Sequence, residues 1–393
     1  MLEKQIKQDF KIGMVKKMRF VPVNEPDLKG NEKKYLDECI DTGWISWEGP
    51  YVKKFERYMA DFTNRKYAIS VSNGSTALET AVMALDLHEG DEVICPTFTI
   101  ISCLLPIIRC GAKPVLVDAY PDTWNMNVDE IESKISPKTK AIMVVHIYGL
   151  PVNMDRIKSI AEKYNLYVIE DAAEMHGQTY NGQPCGSFGD ISIFSFYPNK
   201  LITCGEGGMV LTNNDVLAER CNYIRNLYFN TKKRYVHEGL GYNFRMTNLQ
   251  AAIGCAQFEK IDQTIIKKRK IGRFYNELLK DIDALILPID KTAYAENLYW
   301  VYGIVLKDKI KIDADQFMEK LKSEGVGTRG FFWCMHEQPI FRKMNLFIGE
   351  TYPVAENLAR RGFYLPSGLT ITEDDQIFVV EKLKKIINDN IKG

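Results

Sequence analysis

The chain has 393 residues, 46% hydrophobic and 26% charged, too long for one ordinary core and composed like a globular protein of two domains. Its 51 basic and 51 acidic residues cancel, which leaves no global field suited to nucleic acid or an anionic membrane. No apolar run reaches the about 18 to 20 residues of a membrane span. Nine scattered cysteines with no CxxC pair argue against a disulfide framework or a zinc site and suit reduced thiols in a cytoplasm.

Residues 1–17, "MLEKQIKQDFKIGMVKK", are lysine-rich but carry Glu3 and Asp9 and lack an apolar centre, so they read as an extension and not as a secretory signal. From 67 to 213, β-branched runs alternate with helical stretches. Strands are predicted at 67–72, 91–96, 114–119, 141–148, 166–172, 190–196 and 207–213. Amphipathic helices such as "STALETAVMALDL" and "NMDRIKSIAEKYN" lie between them. Apolar strands separated by helices predict an α/β fold with a mostly parallel seven-stranded sheet covered on both faces. Beyond about 260 a long lysine-rich helix leads to a strand in "YWVYGIVL" (299–306), a helix in "DADQFMEKLKSEG" and a closing amphipathic helix from 373. The large domain is therefore assigned to 18–260, its first residues reaching toward the other unit, and a smaller α/β domain to 261–393.

Open parallel sheets carry their sites beyond the carboxyl ends of the strands, and three such ends hold suggestive residues. After the first strand, "SNGSTAL" opens a helix whose first N–H groups, at Gly74, Ser75 and Thr76, suit a phosphate; an ordinary helix cap has the same residues. After the fifth, "VIEDAAEMHG" puts Asp171 at the sheet edge, where a buried carboxylate needs a cation or donors; it could equally cap the next segment. After the sixth, "SFYPNKLITCGEGG" carries Ser195 and Lys200. A free lysine is neutral roughly once in 2,500 molecules at pH 7, so a nucleophilic one needs desolvation, which a strand end provides. Together the three describe a pyridoxal 5'-phosphate site: Lys200 as covalent anchor, Asp171 on the pyridine nitrogen, and the Ser75–Thr76 turn with Ser195 around the phosphate.

The segments "VSNGSTAL", "GDEVICPTFT", "VIEDAAEMHG", "GSFGDISIFSFYPNKLITCGEGGMVLTN" and "GYNFRMTNLQAAIG" resemble the nucleotide-sugar aminotransferases of the aspartate-aminotransferase fold, from about residue 21 to near the C-terminus. "DTGWIS" and "TRGFFWCMHEQP" resemble the GDP-perosamine-forming members. The resemblance implies a type I pyridoxal-phosphate transferase in which Lys200 is both anchor and general acid–base. It implies Asp171 on the ring nitrogen, Glu174 near the ring hydroxyl, and Gly74, Ser75, Thr76 and Ser195 on the phosphate. Asn243 would reach the phosphate from the other subunit of a homodimer with a shared active site. Trp44, Arg329 and His336 would meet the nucleotide-linked keto sugar; a loop histidine with satisfied hydrogen bonds is the other reading of His336. L-Glutamate would be the donor, a GDP-linked 4-keto-6-deoxy sugar the acceptor, and pyridoxamine 5'-phosphate the amine-carrying form. UDP- or dTDP-linked acceptors, and a non-catalytic regulatory role, are the alternatives. A sugar dehydratase of the same fold would have histidine in place of Lys200. The family's aromatic that stacks on the ring is replaced by Ile100, so an aliphatic face or Phe98 is expected there.

Overall fold

The computed structural model describes residues 19–229, 233 and 235–391, and the extension assigned to 1–17 lies outside them. Seven strands form the main sheet: β1 (Tyr67–Val71), β2 (Glu92–Pro96), β3 (Lys113–Val117), β4 (Thr139–Val145), β5 (Tyr167–Asp171), β6 (Ile191–Ser195) and β7 (Gly208–Thr212). Their order is β1-β7-β6-β5-β4-β2-β3. Every neighbouring pair is parallel except those made by β7, which runs against both β1 and β6. The interior strands are buried almost end to end, as strands covered on both faces must be.

The helices of nine residues or more are α1 (Glu32–Thr42), α2 (Pro50–Phe62), α3 (Gly74–Ala84), α4 (Met154–Tyr164), α5 (Asp215–Arg225), α6 (Asn248–Phe258), α7 (Ile261–Leu279), α8 (Ala314–Ser323), α9 (Pro353–Arg361) and α10 (Glu373–Asn390). α3 begins three residues after β1 because Asn73 closes a capping box. Its side chain accepts from the Thr76 N–H at 2.9 Å, and the Thr76 hydroxyl accepts from the Asn73 N–H at 3.1 Å. That pair satisfies two of the orphan donors and fixes the entry angle of the helix onto the sheet.

A second sheet has the order β8 (Leu285–Ile286), β9 (Tyr302–Leu306), β11 (Gly362–Leu365), β10 (Arg329–Gly330), all antiparallel. With α7, α8 and α10 it encloses its own apolar cluster around Tyr275, Tyr302, Phe317 and Phe363. The chain start belongs to this cluster. Val21 is buried in it, its N–H bonded to the Gly325 carbonyl at 2.9 Å and its carbonyl to the Gly327 N–H at 2.8 Å. Phe331, Phe341 and Tyr352 turn the other way and join the core of the large sheet. Segments of the second unit thus pack on both cores, with a cleft between the units above the main sheet.

Candidate active site

A cavity of about 600 Å³ lies at the carboxyl ends of β1, β5 and β6, with Arg329, Gly330 and Tyr364 of the second sheet on its far wall. Lys200 reaches it through a turn closed by its own N–H on the Tyr197 carbonyl, 2.9 Å. Its ammonium nitrogen lies 3.7 Å from Glu174 Oε1 and 3.9 Å from the centre of the Trp300 ring. The Trp300 indole N–H donates to the Asn199 carbonyl at 2.9 Å, so the ring under the amine is held by the residue next to it. Burial pushes the Lys200 pKa down, against the pull of Glu174 and Asp171 in the other direction, and this makes a neutral amine accessible.

Asp171 ends β5 and is only 3% exposed. Its Oδ1 accepts from the Ala173 N–H at 3.0 Å, and its Oδ2 faces the Cys103 thiol at 3.4 Å. Burial pushes its pKa up. Glu174, one turn on, accepts from the Tyr148 N–H at 2.7 Å; burial raises its pKa too, and Lys200 opposes this. Tyr148 holds a left-handed backbone, φ 54°, which aims that N–H at Glu174.

On the β1 side, Gly74 and Ser195 are in contact. A Cβ on Gly74 would lie 2.7 Å from the Ser195 Cβ and 2.8 Å from its Oγ, so only glycine keeps the helix start this close to β6. The first N–H groups of α3 have no carbonyl partner within the helix. Ser75 and Ser102 hydroxyls are 2.8 Å apart at the same edge. Thr76 does not line the cavity, because the capping box occupies its side chain. A phosphate has a backbone cradle here, a ring nitrogen has a buried carboxylate short of donors, and an aldehyde has a desolvated amine. These residues fit pyridoxal phosphate.

Ile100 lines the cavity and is 45% exposed, whereas Phe98 is 1% exposed. Phe98 packs edge-on against Tyr148 and Phe332, so the aliphatic face is the one presented. Arg329 is exposed on the cavity wall. His336 is elsewhere. It is 2% exposed, with Nδ1 2.8 Å from Thr97 Oγ1 and Nε2 3.1 Å from Glu356 Oε1, and both ring nitrogens are spent on joining the second unit to the strand end of β2. Trp44 and Asn243 are exposed and outside the cavity of their own chain. Sequence reasoning missed Trp300, Tyr148 and Cys103. Trp300 sits in a segment read as strand that becomes one only at Tyr302; Tyr148 and Cys103 carry no local signal.

Three comparisons bear on this geometry. Residues 26–384 match the model of the DegT/DnrJ/EryC1/StrS aminotransferase family. The GDP-perosamine synthase of Escherichia coli O157:H7 is 41% identical over 95% of this chain and 100% of its own, and that of Vibrio cholerae 38% over 94% and 99%. Among solved structures, an aminotransferase from Psychrobacter cryohalolentis superposes with a TM-score of 0.88 at 28% identity, over 94% of this chain and 99% of that one. Among the described residues no helix is long and apolar enough to cross a membrane. The chain belongs to the DegT/DnrJ/EryC1/StrS family of pyridoxal-phosphate-dependent sugar aminotransferases.

Proposed function

We propose that this enzyme is a homodimer that moves the amino group of L-glutamate to C4 of GDP-4-keto-6-deoxy-D-mannose, giving GDP-perosamine. The observation that carries amino transfer is the buried Lys200 amine, 3.7 Å from Glu174 and 3.9 Å from the Trp300 ring, beside Asp171. The choice of sugar rests on the 41% and 38% identities to GDP-perosamine synthases along nearly the whole of both chains.

Pyridoxal phosphate, when bound, supplies an electron sink for the bond broken at the substrate carbon. The chain's residues do the rest. Lys200 Nζ would take the proton from the donor's α-carbon and, in the second half-reaction, deliver one to C4 of the sugar, a task its lowered pKa suits. With the cofactor bound, Asp171 would hold a proton on the ring nitrogen and Glu174 would meet the ring hydroxyl. The N–H groups of Gly74 and Ser75, with the Ser195 hydroxyl, take the phosphate. Arg329 offers a guanidinium at the mouth to an incoming anion, either the donor carboxylate or the diphosphate. Asn243 and Trp44, exposed on their own subunit, serve the site of the other. The nine unpaired cysteines suit the reducing cytoplasm.

The test is a visible absorbance spectrum of the purified enzyme with and without excess L-glutamate, followed by turnover of 4-keto sugars linked to GDP, UDP and dTDP. The proposal expects a coloured protein bleached by glutamate and recoloured by the GDP sugar. Equal turnover of all three sugars would sink the GDP assignment, and a colourless protein that takes up no cofactor would sink the whole reading.

A further inference from the structure

Cys103 closes the short turn Ile101–Cys103 after β2 and is fully buried. Its sulfur lies 3.4 Å from Asp171 Oδ2 and 3.3 Å from the Thr99 hydroxyl oxygen. A thiol has one hydrogen to give. Asp171 is the acceptor that most needs it, because its other oxygen holds the Ala173 N–H and its charge is out of water. Thr99 therefore donates to the sulfur, and the sulfur donates to Asp171. Burial, and then the Asp171 charge, push the Cys103 pKa well up, so the thiol stays protonated and remains a donor.

We infer that Cys103 is a positioning residue for the transfer: its thiol, polarised by Thr99, holds Asp171 Oδ2 and sets how much negative charge that carboxylate presents to the cofactor's ring nitrogen, an inference resting on the proposed Asp171–ring nitrogen pairing. The choice of sulfur matters. A thiol is a weak donor and draws little charge from a carboxylate, whereas a hydroxyl in the same place forms a shorter, charge-assisted bond and draws more. With no donor on Oδ2, the carboxylate keeps more of its charge, the Ala173 N–H on Oδ1 being unchanged. Cys103→Ser and Cys103→Ala must then push the ring nitrogen in opposite directions, Ser toward the unprotonated form and Ala toward the protonated. Thr99→Val, which leaves the thiol unpolarised, moves it the same way as Cys103→Ala but less.

The experiment loads the enzyme and each variant with pyridoxal phosphate carrying 15N in the ring, and reads the 15N resonance at fixed pH beside a thermal melt. The inference expects opposite displacements for Cys103→Ser and Cys103→Ala, with kcat reduced roughly threefold in the serine variant, the effect of one hydrogen bond exchanged for a stronger one. Loosened packing alone would move both resonances the same way. Same-sign displacements, or none, would overturn the inference provided that Asp171→Asn sends the resonance to the unprotonated extreme. If Asp171→Asn leaves it unmoved, the pairing itself is wrong and the inference falls with it. Should the serine variant fail to fold, displacement of both Cys103→Ala and Thr99→Val toward the protonated form, smaller for Thr99→Val, carries the decision, and any other pattern overturns the inference.

Discussion

Glu170 and Glu174 stand four residues apart, both buried, both beside a basic side chain, and the protein treats them oppositely. Glu170 accepts from the N–H groups of Gly186, Phe188 and Gly189 at 2.5, 2.8 and 3.0 Å, from the Ser192 hydroxyl at 2.9 Å and from His146 Nε2 at 3.2 Å. His146 Nδ1 accepts from the Val152 N–H at 3.1 Å, which leaves Nε2 as the donor. Burial pushes the Glu170 pKa up, but His146 and the backbone donors outweigh it and bring it to about 2. Glu174 has the Tyr148 N–H and Lys200, and burial wins. A carboxylate with its lone pairs filled is a structural anchor; one left short of donors keeps its proton within reach of ordinary pH and is fit for chemistry.

The largest effect sharpens the second half of that contrast. Lys200→Ala removes both Glu174's cation and the amine, and the rate of the half-reaction with L-glutamate should fall by about 10⁴-fold, the upper range for loss of a positioned acid–base group, while circular dichroism stays unchanged. Next, Glu170→Gln turns one filled acceptor into a donor facing other donors. Unfolding in urea should show a loss of about 3 kcal/mol, the shift from 4.5 to about 2 converted at 1.36 kcal/mol per pH unit. The sign follows from the lowered pKa: this stability is present above pH 4.5 and is lost as pH falls toward 2, so parent and variant converge in acid. Parallel melting curves down to pH 2 would break the assignment. Glu174→Gln should do the reverse. Its kcat drops about 10- to 100-fold, while at and below about pH 4.5, where the carboxyl is largely protonated in the fold, stability changes by about 1 kcal/mol or less. Because the folded pKa is raised, the parent loses stability as pH rises above the unfolded value, and the variant gains on it there.

The same acidic stretch also marks how far the sequence could be read. "VIED" places Glu170 and Asp171 at the end of a buried strand, and a strand-end rule then singles out Asp171. Nothing local says that Glu170 faces four donors of the segment 186–192, because that segment is brought in by the sheet pairing of β5 with β6. Lys200 and Gly74 are legible for the same reason as Asp171: each lies within a few residues of a strand end. Trp300, Tyr148 and Cys103 come to the site from other elements, and their positions depend on tertiary contacts that no window of sequence contains. The seven strands of the large sheet are legible in their apolar runs, whereas two-residue strands such as β8 and β10 have too few residues to show a period. Nor does the helix-start pattern show that the capping box takes both the N–H and the hydroxyl of Thr76, the third residue of α3.

His336 extends the contrast to a third buried polar group, and its prediction is the smallest. Resemblance put it beside the sugar nucleotide, yet Thr97 and Glu356 occupy its two nitrogens. It is a filled group like Glu170, with one buried hydroxyl and one partly exposed carboxylate in place of a ring of buried donors: the Glu356 side chain is 28% exposed, so water can replace part of what is lost. His336→Asn, whose shorter amide reaches one partner and not both, should cost about 1 kcal/mol of stability and leave KM for the sugar nucleotide within about twofold, well short of the tenfold that 1.4 kcal/mol of lost binding would give. A large rise in KM with an unchanged melting temperature would mean that the ring leaves Thr97 to meet the substrate, and His336 would then join Glu174 among the groups the protein keeps under-satisfied for use.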